Sequence, residues 1–162
     1  MKIRSVPREK AEEIYNKLLE KWSREILPKR FRGLRALELD ERRALLMLDD
    51  FRVVKIGDKF VPFLADSKRV DAFPYVTVDM GAIRFICNGA DVMRPGVKAF
   101  PTIFRKGDIV VVKDEKYHKA IAVGEANVSS EEAEQLNKGP IIINLHYVGD
   151  KIWEIAKEKG II

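Results

Sequence analysis

The side chains that most often perform catalysis are few in this sequence. The chain has one cysteine, Cys87, and two histidines, His118 and His146. Catalysis needs a nucleophile with a base and an orienting group, or a set of metal ligands, and no such combination stands out. We interpret Cys87 as a small core residue and each histidine as structural or solvated, with contact to a ligand as the alternative. The sequence gives no positive support for an enzyme, a metal site or a cofactor.

Acidic pairs and phosphate-binding motifs do not change this interpretation. Asp49-Asp50 is explained by a turn. Glu131-Glu132 is explained by a helix amino terminus, where carboxylates interact favourably with the helix dipole. The sequence contains no phosphate-binding loop, dinucleotide fingerprint or zinc-ligand spacing. Binding without turnover is therefore the better starting hypothesis.

Basic residues around one aromatic ring fit nucleic acid binding. A connector around Phe31 would combine phosphate-binding charge with one stacking surface. Its basic residues are Lys29, Arg30, Arg32 and Arg35. A solvated connector without a ligand is the alternative, and it is the commoner outcome for such a segment.

A second candidate segment lies in the second half of the chain. It consists of residues 81–84 and 89–97, and we call it the glycine-rich segment. Its small residues allow another backbone to approach closely, while Arg84 and Arg94 can reach phosphates. The alternative is that Gly89 and Gly96 adopt positive φ and that Pro95 makes a tight bend. The residue chemistry alone leaves both interpretations open.

Length and composition limit the fold to one ordinary domain or two small ones. The 162 residues are 46% apolar and 34% charged, which is typical of a globular protein. The amino terminus has no apolar signal sequence, and the single cysteine fits a reducing compartment, so we expect a cytoplasmic protein without a membrane span. A single glutamine among many Lys, Glu and Arg residues is typical of proteins from hot environments.

The net charge of +5 lies in the first quarter of the chain. Residues 1–43 hold thirteen basic and eight acidic side chains, whereas residues 44–162 hold seventeen of each. The surplus charge therefore coincides with the basic connector and does not extend to the glycine-rich segment.

Apolar spacing predicts a helix and then a small antiparallel sheet in the first half. The helical pattern runs from Ala11 to Ile26, and Pro28 ends it. Ser5 and Pro7 fit the start of this helix. The predicted strands lie between residues 36 and 64, at 43–48, 52–56 and 59–64. The polar segment 65–74 predicts a boundary between domains 1–72 and 73–162.

Short elements in the second half predict a compact barrel. Asp79 is expected to cap a helix over 80–88 that ends at Gly89 in a left-handed conformation. A hairpin of strands 109–113 and 120–124, a helix that begins with a capping box at 129–132, and strands at 141–148 and 152–155 complete the prediction.

Several segments of the second half resemble a PUA domain, the RNA-binding module named after pseudouridine synthases and archaeosine transglycosylases. The segments are residues 78–85, 88–97, 106–112 and 120–124. Residues 134–139, 144–147 and 150–153 further resemble the malignant T-cell-amplified-sequence family of translation factors, in which a helix-plus-sheet domain precedes the PUA domain. The first 72 residues agree with that domain in length and order.

The resemblance implies an α+β fold, with an amino-terminal helix-plus-antiparallel-sheet domain followed by a PUA-type β pseudo-barrel with short helices. It implies a non-catalytic RNA-binding protein of translation that contacts a tRNA acceptor arm or rRNA at the small ribosomal subunit, with a density-regulated-protein-like partner. An accessory module that presents RNA to a separate modifying enzyme, and a module that binds an acidic protein, are the alternatives. The expected RNA-facing residues are Gly81, Arg84, Gly89, Met93, Arg94, Gly96 and Lys98, and the basic connector would be a second, ribosomal surface.

Overall fold

The computed structural model describes residues 2–22, 25–29 and 31–162. Within these residues a five-stranded sheet with one long helix precedes a six-stranded, nearly closed barrel sheet with short helices. The predicted α+β fold class is therefore confirmed. No helix in the described part of the chain is long and apolar enough to span a membrane.

The first sheet is antiparallel throughout and packs against the long helix. Its strands are β1 (Ile3–Ser5), β2 (Leu34–Glu38), β3 (Arg43–Leu48), β4 (Phe51–Ile56) and β5 (Lys59–Pro62), in that spatial order, and the helix is α1 (Arg8–Lys21). Ala11, Ile14 and Leu18 form the buried face of α1 and join the core with Leu45 and Phe51 of the sheet. The apolar spacing of α1 thus covers one face of the sheet and keeps it from water.

The ends of α1 differ from the prediction. Pro7 is the residue before the helix, while Ser5 belongs to β1 and pairs with Arg35, so Ser5 is no part of the cap. The helix ends at Lys21, well before Ile26, because Trp22 is extended with φ −118°. Trp22 remains buried, and its ring makes edge contacts with two phenylalanine rings of the core. The apolar pattern continued past the helix because Trp22 and Leu27, which follow it, are also buried.

The polar segment that predicted a boundary contains one helical turn. This turn, α2 (Ser67–Val70), buries Val70, and Phe73 beyond it is buried too. Asp66 accepts the backbone N–H of Arg52 at 2.9 Å and its side-chain Nε–H at 2.7 Å. The segment is therefore fixed to β4, and the division into domains 1–72 and 73–162 stays a prediction.

The second sheet combines antiparallel hairpins with one parallel pair. Its strands are β6 (Tyr75–Val78), β7 (Val92–Met93), β8 (Val97–Ala99), β9 (Ile109–Asp114), β10 (Ala120–Ala126) and β11 (Pro140–Tyr147), in the order β7-β11-β10-β9-β6-β8. Strands β6 and β9 are parallel, with Val78 opposite Asp114. The predicted 109–113 and 120–124 hairpin is confirmed.

Two further helices of the second half are short, and the second of them begins at a side-chain cap. Helix α3 spans Ile83–Ile86 and helix α4 spans Ser130–Gln135. The Ser129 side chain accepts the N–H of Glu132 at 3.1 Å, which confirms the Ser129 half of the predicted capping box.

The predicted last strand at 152–155 is wrong, because residues Lys151–Glu158 form helix α5. Asp150 caps this helix by accepting the Trp153 N–H at 2.9 Å. Ile152 and Ala156 are buried one helical turn apart, in the same core as α1. Residues 152–155 alone do not include Ala156, so the helical spacing is not visible within them.

Candidate nucleic-acid interface

The first arm of the glycine-rich segment follows β6, and its second arm includes β7 and the start of β8. Residues 80–88 do not form the single helix that we predicted. A 3-10 turn at Met80–Ala82 leads directly into α3, and Cys87 follows the helix. The Asp79 side chain makes no capping hydrogen bond, so the predicted cap is wrong. The turn is instead closed by the backbone, since the Ala82 N–H donates to the Asp79 carbonyl at 2.9 Å.

Glycines bring the two arms of this segment into close contact. The Asp79 N–H donates to the Gly96 carbonyl at 2.8 Å, and a β-carbon on Gly96 would lie 3.4 Å from that of Ala82. Gly96 therefore serves close approach, and its positive φ, one of our two interpretations, is wrong. Gly81 is exposed, and a β-carbon there would lie 3.3 Å from the Asp79 carboxylate.

Gly89 turns the chain after α3. Its φ is +100°, as predicted, and a β-carbon at this position would contact the Tyr147 ring at 3.6 Å. The Asn144 side-chain amide donates to the carbonyls of Ile86 and Ala90 at 3.0 and 2.9 Å. The loop that follows α3 is therefore held in a single conformation by β11.

Arg84 and Phe85 form an exposed cation–aromatic pair on α3. The Arg84 guanidinium lies 4.7 Å from the centre of the Phe85 ring, and Phe85 is 55% exposed. Such a pair offers charge for a phosphate and an apolar face for a base or ribose. Our sequence reasoning missed Phe85. In the predicted helix 80–88, Met80, Ile83 and Cys87 have the spacing of one helix face, and the position of Phe85 outside this face was the available signal.

Arg94 is half-buried and bound to the backbone, unlike Arg84. Its Nε–H donates to the Ala133 carbonyl at 2.8 Å, and Nη1 donates to the Val97 carbonyl at 3.2 Å. The guanidinium also lies 5.1 Å from the Phe100 ring centre. Arg94 thus fixes the segment to α4, while its neighbour Met93 is exposed.

The exposed members of the predicted set are therefore clear. Arg84, Met93 and Lys98 have exposed side chains, and Gly81 and Gly89 have exposed backbone. Together with Phe85 they lie on the two arms that the Asp79–Gly96 hydrogen bond joins, and we call this set of residues the PUA face after the resemblance described above.

The basic connector does not form one compact patch. Lys29 lines a groove of about 810 Å³ with Arg8 of α1, whereas Arg35 lines a different groove near residues 159–161. The Arg32 backbone N–H lies 3.3 Å from the Asp49 carboxylate, and its side chain is exposed. Arg30 lies outside the described residues.

Phe31 has a stacking partner within the chain. The Tyr15 ring stacks on it at 4.6 Å, and the Arg8 guanidinium lies 5.1 Å from its centre. The Tyr15 hydroxyl in turn donates to the Pro28 carbonyl at 2.5 Å. Phe31 therefore packs the connector against α1, and Tyr15 covers one face of its ring.

The remaining reactive side chains have structural surroundings. Burial raises the pKa of the half-buried Cys87 thiol, which makes the thiolate scarce at neutral pH. His146 is fully buried, whereas His118 is exposed in the β9–β10 hairpin. No group of three or more His, Cys, Asp or Glu side chains among the described residues could hold a metal ion.

Comparison with known families identifies the second half of the chain. The PUA domain family matches residues 74–148. An uncharacterized protein of Methanocaldococcus jannaschii is 38% identical over 119 residues, which cover 67% of this chain and 74% of that protein. Translation machinery-associated protein 20 of Eremothecium gossypii is 30% identical over 82% of this chain and 77% of its own length. Human malignant T-cell-amplified sequence 2 is 29% identical over 87% of this chain and 81% of its own length.

Solved structures share the complete architecture. A hypothetical protein of Pyrococcus horikoshii superimposes with a TM-score of 0.75 at 28% identity, and the match covers 95% of this chain and 99% of that one. A PUA domain structure from Aeropyrum pernix gives a TM-score of 0.70 at 21% identity, covering 96% of this chain and 91% of that one. The helix-plus-sheet unit and the barrel therefore occur together in other proteins.

Proposed function

Because this chain belongs to the family of translation machinery-associated protein 20 and the malignant T-cell-amplified sequence proteins, we propose that it binds structured RNA through the PUA face and acts in translation without catalysis. The RNA is a tRNA acceptor arm or an rRNA helix, and the protein acts at the small ribosomal subunit in initiation, reinitiation or recycling. The observation that carries the proposal is the exposed Arg84-Phe85 pair within the PUA domain.

The chemistry of the PUA face suits a sugar-phosphate backbone better than base edges. Arg84 and Lys98 supply cations for phosphates, and the low surface over Gly81 lets a nucleic acid backbone come close. Structured RNA is recognised mainly by shape, phosphates and 2′-hydroxyls, so a rigid surface with few charges is sufficient.

Charge reversal on the PUA face tests the proposal. We expect Arg84→Glu to weaken binding of a tRNA-acceptor-like hairpin RNA at least about tenfold and to reduce the salt dependence of the affinity. Arg105→Glu is the matched control, because Arg105 is an exposed arginine of the same domain that lies away from the PUA face. Its neighbour Thr102 accepts the Tyr75 N–H at the start of β6, whereas the PUA face follows the end of β6. Equal affinities for Arg84→Glu and the wild type, or equal losses in the two variants, would overturn the assignment.

The basic connector is proposed as a second surface that contacts the small ribosomal subunit. Replacing Lys29, Arg30, Arg32 and Arg35 by Ser is expected to abolish co-sedimentation with small subunits and to leave binding of the hairpin RNA intact. Action there would put the protein in the cytoplasm, together with a density-regulated-protein-like partner. RNA binding by a wild-type protein that does not sediment with small subunits would instead favour an accessory module for an RNA-modifying enzyme.

A further inference from the structure

The tip of the β9–β10 hairpin carries an exposed aromatic ring among basic residues. Tyr117 is 70% exposed, and Nζ of Lys116 lies 5.3 Å from the centre of its ring. His118 and Lys119 are exposed as well, and Glu115 is the acidic residue of this tip. An exposed ring flanked by cations has the composition of a surface on which nucleic acid bases stack.

The backbone of this tip is ordered by a buried carboxylate. Asp114 accepts the backbone N–H groups of Lys116, Tyr117 and Lys119 at 2.9, 2.5 and 3.0 Å. Burial opposes ionisation of Asp114, but these three donors outweigh it and lower the pKa, so the carboxylate is charged at neutral pH. Tyr117 is therefore presented on a preorganised loop, and a ligand does not have to order the loop on binding.

The hairpin tip lies beside the PUA face. Strands β6 and β9 run in parallel and end together, and the Glu115 N–H donates to the Val78 carbonyl at 3.0 Å. The PUA face begins directly after Val78. On the other strand of the hairpin, the Cys87 Sγ lies 3.9 Å from the Ile121 carbonyl, so the end of α3 also contacts the hairpin.

We propose that Tyr117 stacks on an unpaired nucleotide of the RNA that binds to the PUA face, with Lys116 and Lys119 beside the phosphates of that nucleotide. This inference rests on the proposed function and adds a specificity to it. The preferred RNA is a helix that continues into a single-stranded end, because only an unpaired base can offer its face to a side chain. The ring would select for an unpaired base and not for a particular sequence, since every base has a stacking face.

The test compares two hairpin RNAs that differ only in a short unpaired tail. Affinity is measured by fluorescence anisotropy, and 2-aminopurine in the tail reports stacking directly. We expect the wild type to bind the tailed RNA about tenfold more tightly than the blunt RNA, as expected when one base stacks on an aromatic ring. Tyr117→Ala should lose this preference and keep the affinity for the blunt RNA, whereas Tyr117→Phe should keep both. Ile103→Ala is the control for loss of an exposed apolar side chain, since Ile103 is 90% exposed in a loop at the other end of β6.

The outcomes separate this inference from the proposed function. Failure of the wild type to bind either RNA would overturn both. Binding that depends on Arg84 but shows no preference for the tailed RNA, or a preference that survives Tyr117→Ala, would leave the proposed function standing and overturn the role of Tyr117. Contact of Tyr117 with a protein partner would give this second result.

Discussion

Nδ1 of His146 lies 2.7 Å from Oδ2 of Asp150, so a fully buried strand residue of the barrel is bonded to the residue that caps the last helix. On the other side of the ring, Nε2 lies 3.2 Å from the backbone N–H of Leu64, just beyond β5. Since a backbone N–H can only donate, Nε2 accepts the hydrogen bond from Leu64, and Nδ1 carries the hydrogen that it donates to Asp150. The His146 ring thus joins the first sheet, the barrel and α5.

Replacement of His146 by Phe is expected to lower the free energy of unfolding by about 2–4 kcal/mol. Phe fills a similar volume, but it leaves the Leu64 N–H without its acceptor and removes one of the hydrogen bonds to the Asp150 carboxylate. Urea unfolding followed by tryptophan fluorescence measures the change. His118→Asn is the control, because His118 is exposed with φ +54°, a conformation that Asn accepts. Equal stability of the two variants would contradict a structural role for the buried ring.

Stability is expected to fall in acid partly through Asp150. Burial opposes ionisation of this carboxyl, but hydrogen bonds from His146 and from the N–H groups of Trp153 and Tyr147 lower its pKa. A carboxyl with a lowered pKa in the folded state stabilises the protein above its ordinary pKa, and this contribution is lost as the pH falls below about 4. Asp150→Asn should therefore reduce stability at pH 7 and flatten its decline between pH 4 and pH 2 in urea titrations. Asp58→Asn, in an exposed turn, should keep the wild-type profile.

Gly124→Ala is expected to be one of the most damaging small substitutions in the barrel. A β-carbon at Gly124 would lie 2.0 Å from the Ile143 carbonyl oxygen, where the β10–β11 register shifts. We expect a loss of at least about 3 kcal/mol, because the backbone of β11 would have to move. Calorimetry should show a large fall in Tm for Gly124→Ala and almost none for Gly33→Ala, since nothing lies within 4 Å of that position. Similar Tm values for the two variants would contradict the close approach of these strands.

The two arginines of the glycine-rich segment are expected to have different roles, with Arg94 contributing to stability and Arg84 to RNA binding. Arg94→Gln should lower the free energy of unfolding by about 1–3 kcal/mol, because the carbonyls of Ala133 and Val97 lose a charged donor. Arg84→Gln should change stability by less than about 0.5 kcal/mol and weaken RNA binding instead. Urea unfolding and RNA anisotropy on both variants provide the measurement. Stability loss in Arg84→Gln without an effect on RNA would contradict the division.

The parts of the fold that the sequence predicted correctly are those with local signals. The helix cap at Ser129, the left-handed Gly89 and the buried face of α1 each depend on residues within a few positions of one another. The errors at Trp22 and at α5 have a different origin. In both places an apolar residue is buried by a distant part of the chain, and burial alone does not specify a helix or an extended segment.

The candidate site was predictable in position but less so in the role of each side chain. The glycine spacing located the two arms, yet charge alone could not distinguish Arg84, which is exposed, from Arg94, whose donors are taken by carbonyls of Ala133 and Val97. The same limit applies to Phe31, whose stacking partner Tyr15 is distant in sequence. The sequence did not indicate a role for the hairpin tip, because the proximity of this tip to the PUA face arises from the parallel pairing of β6 with β9.

The two-residue strand β7 lies at the edge of its sheet and pairs with β11, with Met93 opposite Pro140. During synthesis, the residues of the PUA face are made before those of β11, and a two-residue strand cannot hold its conformation alone. The Arg94 N–H likewise donates to the Gly139 carbonyl at 2.8 Å, and this bond cannot form before residue 139 has been made. A nascent or truncated chain that stops before residue 139 therefore lacks both contacts, and we expect it not to form the proposed RNA-binding surface.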